Sequence, residues 1–165
     1  MRSARAFFIA IALSVCCGLA NGQGFTPAVR DQCVQVAASH YYRAGYPITY
    51  PAFVDLVRAL MRVEGGCGMV VANKDGSTDV GCLQINSTHF DDLARYGISQ
   101  EALRWNDCQN ILVGTWILDS ELSRGGDLWT SIGRYNSKTP KYNVAYQKRV
   151  WNQLQRLWAE QLARR

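Results

Sequence analysis

A carboxyl group set on the apolar face of a helix narrows what this chain can become more than any other feature. Tyr50-Pro51 marks a helix start, because proline fits the first helical position, and Gly65-Gly66 marks a stop. Between them Phe53, Val57, Leu60 and Glu64 fall at i, i+4, i+7 and i+11, one face of a 3.6-residue period. Glu64 therefore points where the apolar stripe points. A carboxylate there loses hydration and lies near the negative end of the helix dipole, and both effects favour the protonated form. That is the tuning a general acid needs near neutral pH. The competing reading is a last-turn glutamate curling out to water, since glutamate is seldom buried without a partner.

Glu64 lies in the stretch Met61–Asn86, MRVEGGCGMVVANKDGSTDVGCLQIN, which carries the chain out of the helix. Met69–Ala72 and Val80–Ile85 are short, β-branched and joined through Asp75-Gly76, a favoured turn pair. A small hairpin or irregular loop is expected there, with Gln84 as a strand residue. Asp75 should bond the local backbone of the turn, and Asp79 reads as a loop residue. Neither is expected to serve as a second catalytic carboxylate beside Glu64.

The remainder reads as helices. Thr26-Pro27 starts one running to Ala44, with Val29, Cys33, Val36 and Ala37 on one face and Gly45 as its end. Ser87 or Thr88 caps a short one ending near Tyr96-Gly97. Asp107 caps a long one from Cys108 to Ser123, buried along Ile111, Thr115, Leu118 and Leu122, and Asp127 starts another toward Tyr135. Thr139-Pro140 opens the last, where Val144, Val150, Trp151, Leu154, Leu157, Trp158 and Leu162 recur at near-helical spacing. Its lysines and arginines lie mostly between those positions, as on a solvated face. No repeat, linker or low-complexity tract divides the chain.

Glu64, its glycine-rich exit, the Asn73-Lys74-Asp75-Gly76-Ser77 turn and Gly81-Cys82-Leu83-Gln84-Ile85-Asn86 together resemble the soluble lytic transglycosylase family. That family's signature pairs a glutamate with a downstream Gly-Leu-Met-Gln-Ile-type segment. Cys108-Gln109-Asn110-Ile111, the helix with Gly114 and Trp116, and Tyr135-Asn136 follow in the family's order, so the likeness covers roughly residues 28 to 150. The nearest likeness is to small one-domain members associated with secretion, conjugation and pilus machines. It implies a mostly helical, goose-type-lysozyme-like α+β fold with a small β insertion beside the active site.

The resemblance also assigns roles. It makes Glu64 the catalytic acid and Gln84 a hydrogen-bonding partner of a sugar amide. Leu83, standing for the family's methionine, supplies apolar contact to a sugar, and Tyr135 brings its hydroxyl near the acid. Asn136 is either a sugar ligand or a helix C-cap. The chain departs from the pattern at Gly65, where serine is usual, and at Cys82, where an aliphatic residue is usual. Ser77 is the nearest candidate for the serine that polarises the N-acetyl group.

Arg2 and Arg5 precede an uncharged apolar run, Ala6–Ala20, and Ala20-Asn21-Gly22 has small residues where a signal peptidase reads. The expectation is a signal peptide over 1–22, then a single catalytic domain over 23–165. The run is short for a membrane span, and Leu13-Ser14-Val15-Cys16 makes a poor lipoprotein box. Removing the signal lowers the formal charge from +5 to +3, because two arginines leave with it. Mild basicity suits an anionic wall polymer. No basic run interleaved with aromatics points to nucleic acid.

Cleavage would also remove Cys16 and Cys17, leaving Cys33, Cys67, Cys82 and Cys108, an even set suited to an oxidising compartment. Four cysteines allow three pairings. Similar small transglycosylases carry cysteines near Cys33 and Cys108, so the resemblance favours Cys33–Cys108 with Cys67–Cys82, the latter spanning the catalytic turn. Spacings of 34, 15 and 26 positions do not suit structural zinc. No metal or cofactor is expected.

The resulting expectation is a monomeric periplasmic lytic transglycosylase acting on peptidoglycan glycan strands and aiding a secretion, conjugation or pilus machine. Its rivals are a hydrolytic lysozyme and a catalytically weak wall-binding scaffold module.

Overall fold

The computed structural model describes residues 25–164. The expected signal peptide lies outside the described residues. Seven α-helices and one small sheet make up the rest: α1 Pro27–Tyr41, α2 Tyr50–Glu64, β1 Val70–Ala72, β2 Thr78–Val80, β3 Ile85–Asn86, α3 Phe90–Ala94, α4 Gln100–Trp105, α5 Asp107–Ser123, α6 Leu128–Asn136 and α7 Pro140–Ala163. A 3₁₀ turn, Ser87–His89, joins β3 to α3. The architecture is the mostly helical α+β one expected. No described helix is long and apolar enough to cross a membrane.

α5 is the centre. It is apolar on nearly every side, burying Ile111, Leu112, Val113, Thr115, Leu118 and Leu122, as a helix enclosed by its neighbours must. α1 packs on α5, α2 on α7, and α6 against both α5 and α7. Ion pairs tie this frame together: Arg30 to Asp107 at 2.6 Å, Arg43 to Asp119 at 2.7 Å and Arg58 to Asp31 at 2.7 Å. The Tyr46 hydroxyl also bonds the Asp119 carboxylate.

Several helix limits differ from expectation for local reasons. α1 ends at Tyr41 and buries Val34, Ala37 and Ala38, while Val29 and Val36 are only half covered. The cap of α5 is Asn106, whose side chain accepts from Gln109 N–H at 3.0 Å; Asp107 turns instead to Arg30. Asn86, not Ser87 or Thr88, caps the next turn by accepting from Thr88 N–H. α4, capped by Ser99, is an additional helix. On α7, Val150, Leu154 and Leu157 are buried as expected, whereas Val144, Trp151 and Leu162 face outward.

The sheet is antiparallel in the order β1-β2-β3. Val70 pairs with Val80 and Ala72 with Thr78, and Asp79 pairs with Asn86 across the second ladder. Asp75-Gly76 makes the β1–β2 turn as expected, and Gly76 takes φ 86°, a value glycine adopts without strain. Two disulfides brace the frame: Cys33–Cys108 joins α1 to α5, and Cys67–Cys82 joins the exit of α2 to the turn before β3.

Candidate active site

α2 delivers Glu64 as its last residue. Gly65 ends the helix at φ 61°, its N–H returning to Met61 O at 2.9 Å. The carboxyl group is half-buried, and its Oε1 accepts from the Tyr146 hydroxyl at 2.5 Å. Tyr146 comes from α7 and is 1% exposed. Burial is the main influence on Glu64 and pushes its pKa up; the Tyr146 bond and the Arg149 charge pull it down, and the Asp79 charge pushes it up again. The net direction is upward. Burial, then the Glu64 charge, raises the Tyr146 hydroxyl well above its ordinary value, so it stays a donor.

The segment carrying Gln84 is set by close backbone approach. Gln84 is not part of a strand: it has φ 46° in the turn before β3, and its Nε2 donates to Gly81 O at 2.8 Å. A Cβ at Gly66 would lie 2.9 Å from the backbone oxygen of Gly81 as well as against the Gln84 side chain, so glycine lets the exit of α2 pass so near. Buried Asn110 of α5 clamps the same turn. It accepts from Leu83 N–H at 2.7 Å and donates to Val80 O at 2.8 Å and Leu103 O at 3.0 Å. The Tyr135 hydroxyl of α6 donates to Leu83 O at 2.8 Å.

A cavity of about 550 Å³ opens beside Glu64. The β1–β2 hairpin forms one wall. There Asp79 accepts from Asn73 at 2.9 Å and from Asn86 at 2.8 Å, while Ser77 donates to Asp75 at 2.7 Å. Gln84, Thr88 and His89 continue the lining, and Ile117, Tyr135 and Asn136 close it from α5 and α6. Burial holds the His89 imidazole below its ordinary pKa, so it is neutral at pH 7.

Glu64, Gln84, Tyr135, Asn136 and Ser77 thus share one cavity. Leu83 does not. It is 0% exposed and packs where a Cβ on Gly114 would lie 2.4 Å from its Cδ1, so it has no surface to offer a sugar. Asp79 is in β2 rather than a loop, and it faces the cavity. Asp75 behaves as the turn residue expected, accepting from Ser77 N–H at 3.0 Å. Asn136 ends α6 but Ser137 is the cap, which leaves the Asn136 side chain to the cavity.

Tyr135 shares the cavity with Glu64, whose charge, after burial, raises its hydroxyl well above the ordinary value, and its ring stacks on that of Tyr146 at 6.2 Å. The hydroxyl that reaches Glu64 belongs to Tyr146, which the sequence reading passed over. A signal was present: Asn143, Tyr146, Val150, Leu154 and Leu157 recur at i, i+3, i+7, i+11 and i+14, the true inner face of α7. Cys67, Cys82 and Asp107 are close enough together to hold a metal, but both sulfurs are taken by the disulfide.

The transglycosylase SLT domain model matches residues 50–153, a span that holds Glu64, Gln84, Tyr135 and Tyr146. The chain belongs to this family, a lysozyme-like one that acts on peptidoglycan and hence outside the cytoplasm. It is 37% identical over 109 residues to the invasion protein IagB of Salmonella typhimurium, covering 62% of this chain and 68% of that one. It is 28% identical over 124 residues to protein IpgF of Shigella flexneri, covering 72% and 80%. An X polypeptide of Escherichia coli is 38% identical over 77 residues, covering 43% of this chain and 46% of its own length.

Proposed function

We propose that residues 23–165 are a periplasmic lytic transglycosylase domain, exported by the signal peptide over 1–22, that cleaves the β-1,4 bond between N-acetylmuramic acid and N-acetylglucosamine. The observation that carries this reading is Glu64, half-buried at the cavity wall and held by Tyr146 at 2.5 Å. Protonated Glu64 gives its proton to the glycosidic oxygen as the bond breaks. The muramyl N-acetyl group stabilises the cationic carbon. Glu64, now a carboxylate, takes the proton of the sugar's own C6 hydroxyl, whose oxygen closes a 1,6-anhydro ring. The proton balance returns to its start and no water is consumed.

Gln84 offers its carboxamide oxygen and its second amide hydrogen to the substrate, since the first is committed to Gly81. Asn136 and the Ser77 hydroxyl face the same space. The domain works as a monomer on glycan strands, without a cofactor. The name of its relative, an invasion protein, supports a task in opening the wall for an envelope-spanning machine.

Asp79 favours a second reading. A second carboxylate lining the same cavity as Glu64 is the partner a hydrolytic lysozyme uses, with water replacing the C6 hydroxyl. Mass spectrometry of digested peptidoglycan separates the two: 1,6-anhydro muropeptides are expected, and reducing-end products alone would overturn the transglycosylase. If the protein released no soluble fragment while still binding the wall, the scaffold reading would hold.

A further inference from the structure

α7 has a second face that the cleft does not use. Its inner face sends Tyr146 to Glu64; five residues later Trp151 lies about 140° round the helix, is 42% exposed and has no part in the cavity lining. Apolar spacing leads one to expect this indole to be buried. Instead it is exposed and held in place. Trp129 of α6 meets it edge-on at 5.5 Å and Trp158 at 5.8 Å, and Trp158 is itself tied through Nε1 to Asp55 at 3.0 Å. An indole ordered beforehand loses little freedom on binding.

The residues round Trp151 indicate what it meets. Lys148, three positions before it, and Gln155, four positions after, are its neighbours on the helix surface, and Asn152 adjoins both of these at i+4 and i−3. All three are exposed, and none has a hydrogen bond or ion pair among the described residues. A flat indole with amides and an ammonium suits a polymer that offers sugar faces, N-acetyl and hydroxyl groups, and carboxylates. Val144 and Leu162 are exposed too, but they lie seven and eleven positions from Trp151, about 11 and about 17 Å along the helix, too far apart for the continuous apolar face a bilayer calls for. A second copy of this chain would set lysine against lysine.

We propose that Trp151, with Lys148, Asn152 and Gln155, forms a second peptidoglycan-binding site on the outer face of α7, taking a sugar face on the indole and a peptide-stem carboxylate on Lys148. This rests on peptidoglycan being the substrate of the cleft. The site retains the enzyme on the wall between cleavage events, because it engages the polymer independently of Glu64.

Co-sedimentation with isolated peptidoglycan tests it, using Glu64→Gln protein so that the polymer stays intact. Trp151→Ala in that background is expected to weaken binding about tenfold, or ~1.4 kcal/mol. Lys148→Gln, which leaves the indole packing alone, should weaken binding less and reduce its salt dependence. With Glu64 present, both variants should cleave a short soluble muramyl–glucosaminyl oligosaccharide at the parental rate. Sedimentation unchanged in both variants would overturn the proposal. So would a loss confined to vesicles of anionic phospholipid, which would assign the face to a membrane. Failure of the parent on the short substrate would count against the cleft's function alone, since the Glu64→Gln sedimentation is read separately.

Discussion

The Tyr146 hydroxyl, carried by the last helix, donates to Glu64 Oε1 at the end of α2 at 2.5 Å. Two elements far apart in the chain therefore meet at one carboxyl group, and each sets part of its chemistry. α2 removes water from Glu64 and favours the neutral acid; Tyr146 stabilises the charged form that exists once the proton has gone. A group that must give a proton and then hold a negative charge needs both influences.

Tyr146→Phe should raise the Glu64 pKa further, since the lost hydrogen bond was lowering it. Activity that needs protonated Glu64 fails as pH rises through that pKa, so the alkaline limb of the pH–rate profile should move to higher pH. The maximal rate should fall about tenfold or more, within the range expected of acid–base groups. Kinetics across pH 4 to 9 on a soluble oligosaccharide would measure both.

Asp79→Asn should act in the opposite direction. Its charge raises Glu64, so its removal lowers the Glu64 pKa and brings the alkaline limb to lower pH. If the hydrolytic reading is the right one, this variant should also lose most of its rate.

Glu64→Gln should abolish cleavage, by about 10²–10⁴-fold, while making the fold no weaker at neutral pH. The sign follows from linkage. Glu64 has a raised folded-state pKa, so its contribution to stability is fully present below the ordinary glutamate value of 4.5 and is lost as pH rises through the folded pKa. The variant should therefore melt at the same or a higher temperature than the parent at pH 7, and any gap should close on acidification.

Cys67→Ser with Cys82→Ser tests the brace on the catalytic turn. Opening a closure of 15 residues costs about 3 kcal/mol by chain entropy. Because the bridge links the exit of α2 to the Gln84 turn, the KM for oligosaccharide should rise as well as the melting temperature fall.

Asn110→Ala removes one acceptor and two donors from buried backbone groups of Leu83, Val80 and Leu103. A loss of about 2–4 kcal/mol is expected from groups left without partners, read by denaturant unfolding.

Much of this molecule could be read from local spacing. The stripe through Phe53, Val57 and Leu60 located Glu64 on the inner face of α2, and Asp75-Gly76 located the hairpin turn. The paired cysteines followed the family resemblance. What spacing missed depends on tertiary packing. Gln84 looks like a strand residue, yet Asn110 clamps the backbone on either side of Gly81-Cys82 and Gly66 packs against Gly81 O and the Gln84 side chain, holding it in a turn outside the ladder. Leu83 matches a sugar-contacting position, yet Gly114 opens a hole that draws it into the core. On α7 two apolar stripes compete, and the one with the larger side chains, Trp151 and Leu162, is the outer one. Which stripe faces inward is decided by α2 and α6, and that choice brings Tyr146 to Glu64.

The most direct test is the titration of Glu64 itself. With ¹³C-labelled glutamate, its carboxyl carbon can be followed by NMR from pH 3 to 9, using Glu64→Gln to assign the signal. A midpoint above the ordinary glutamate value of 4.5 is expected, and a higher one still in Tyr146→Phe. A midpoint at or below 4.5, unmoved by Tyr146→Phe, would contradict this.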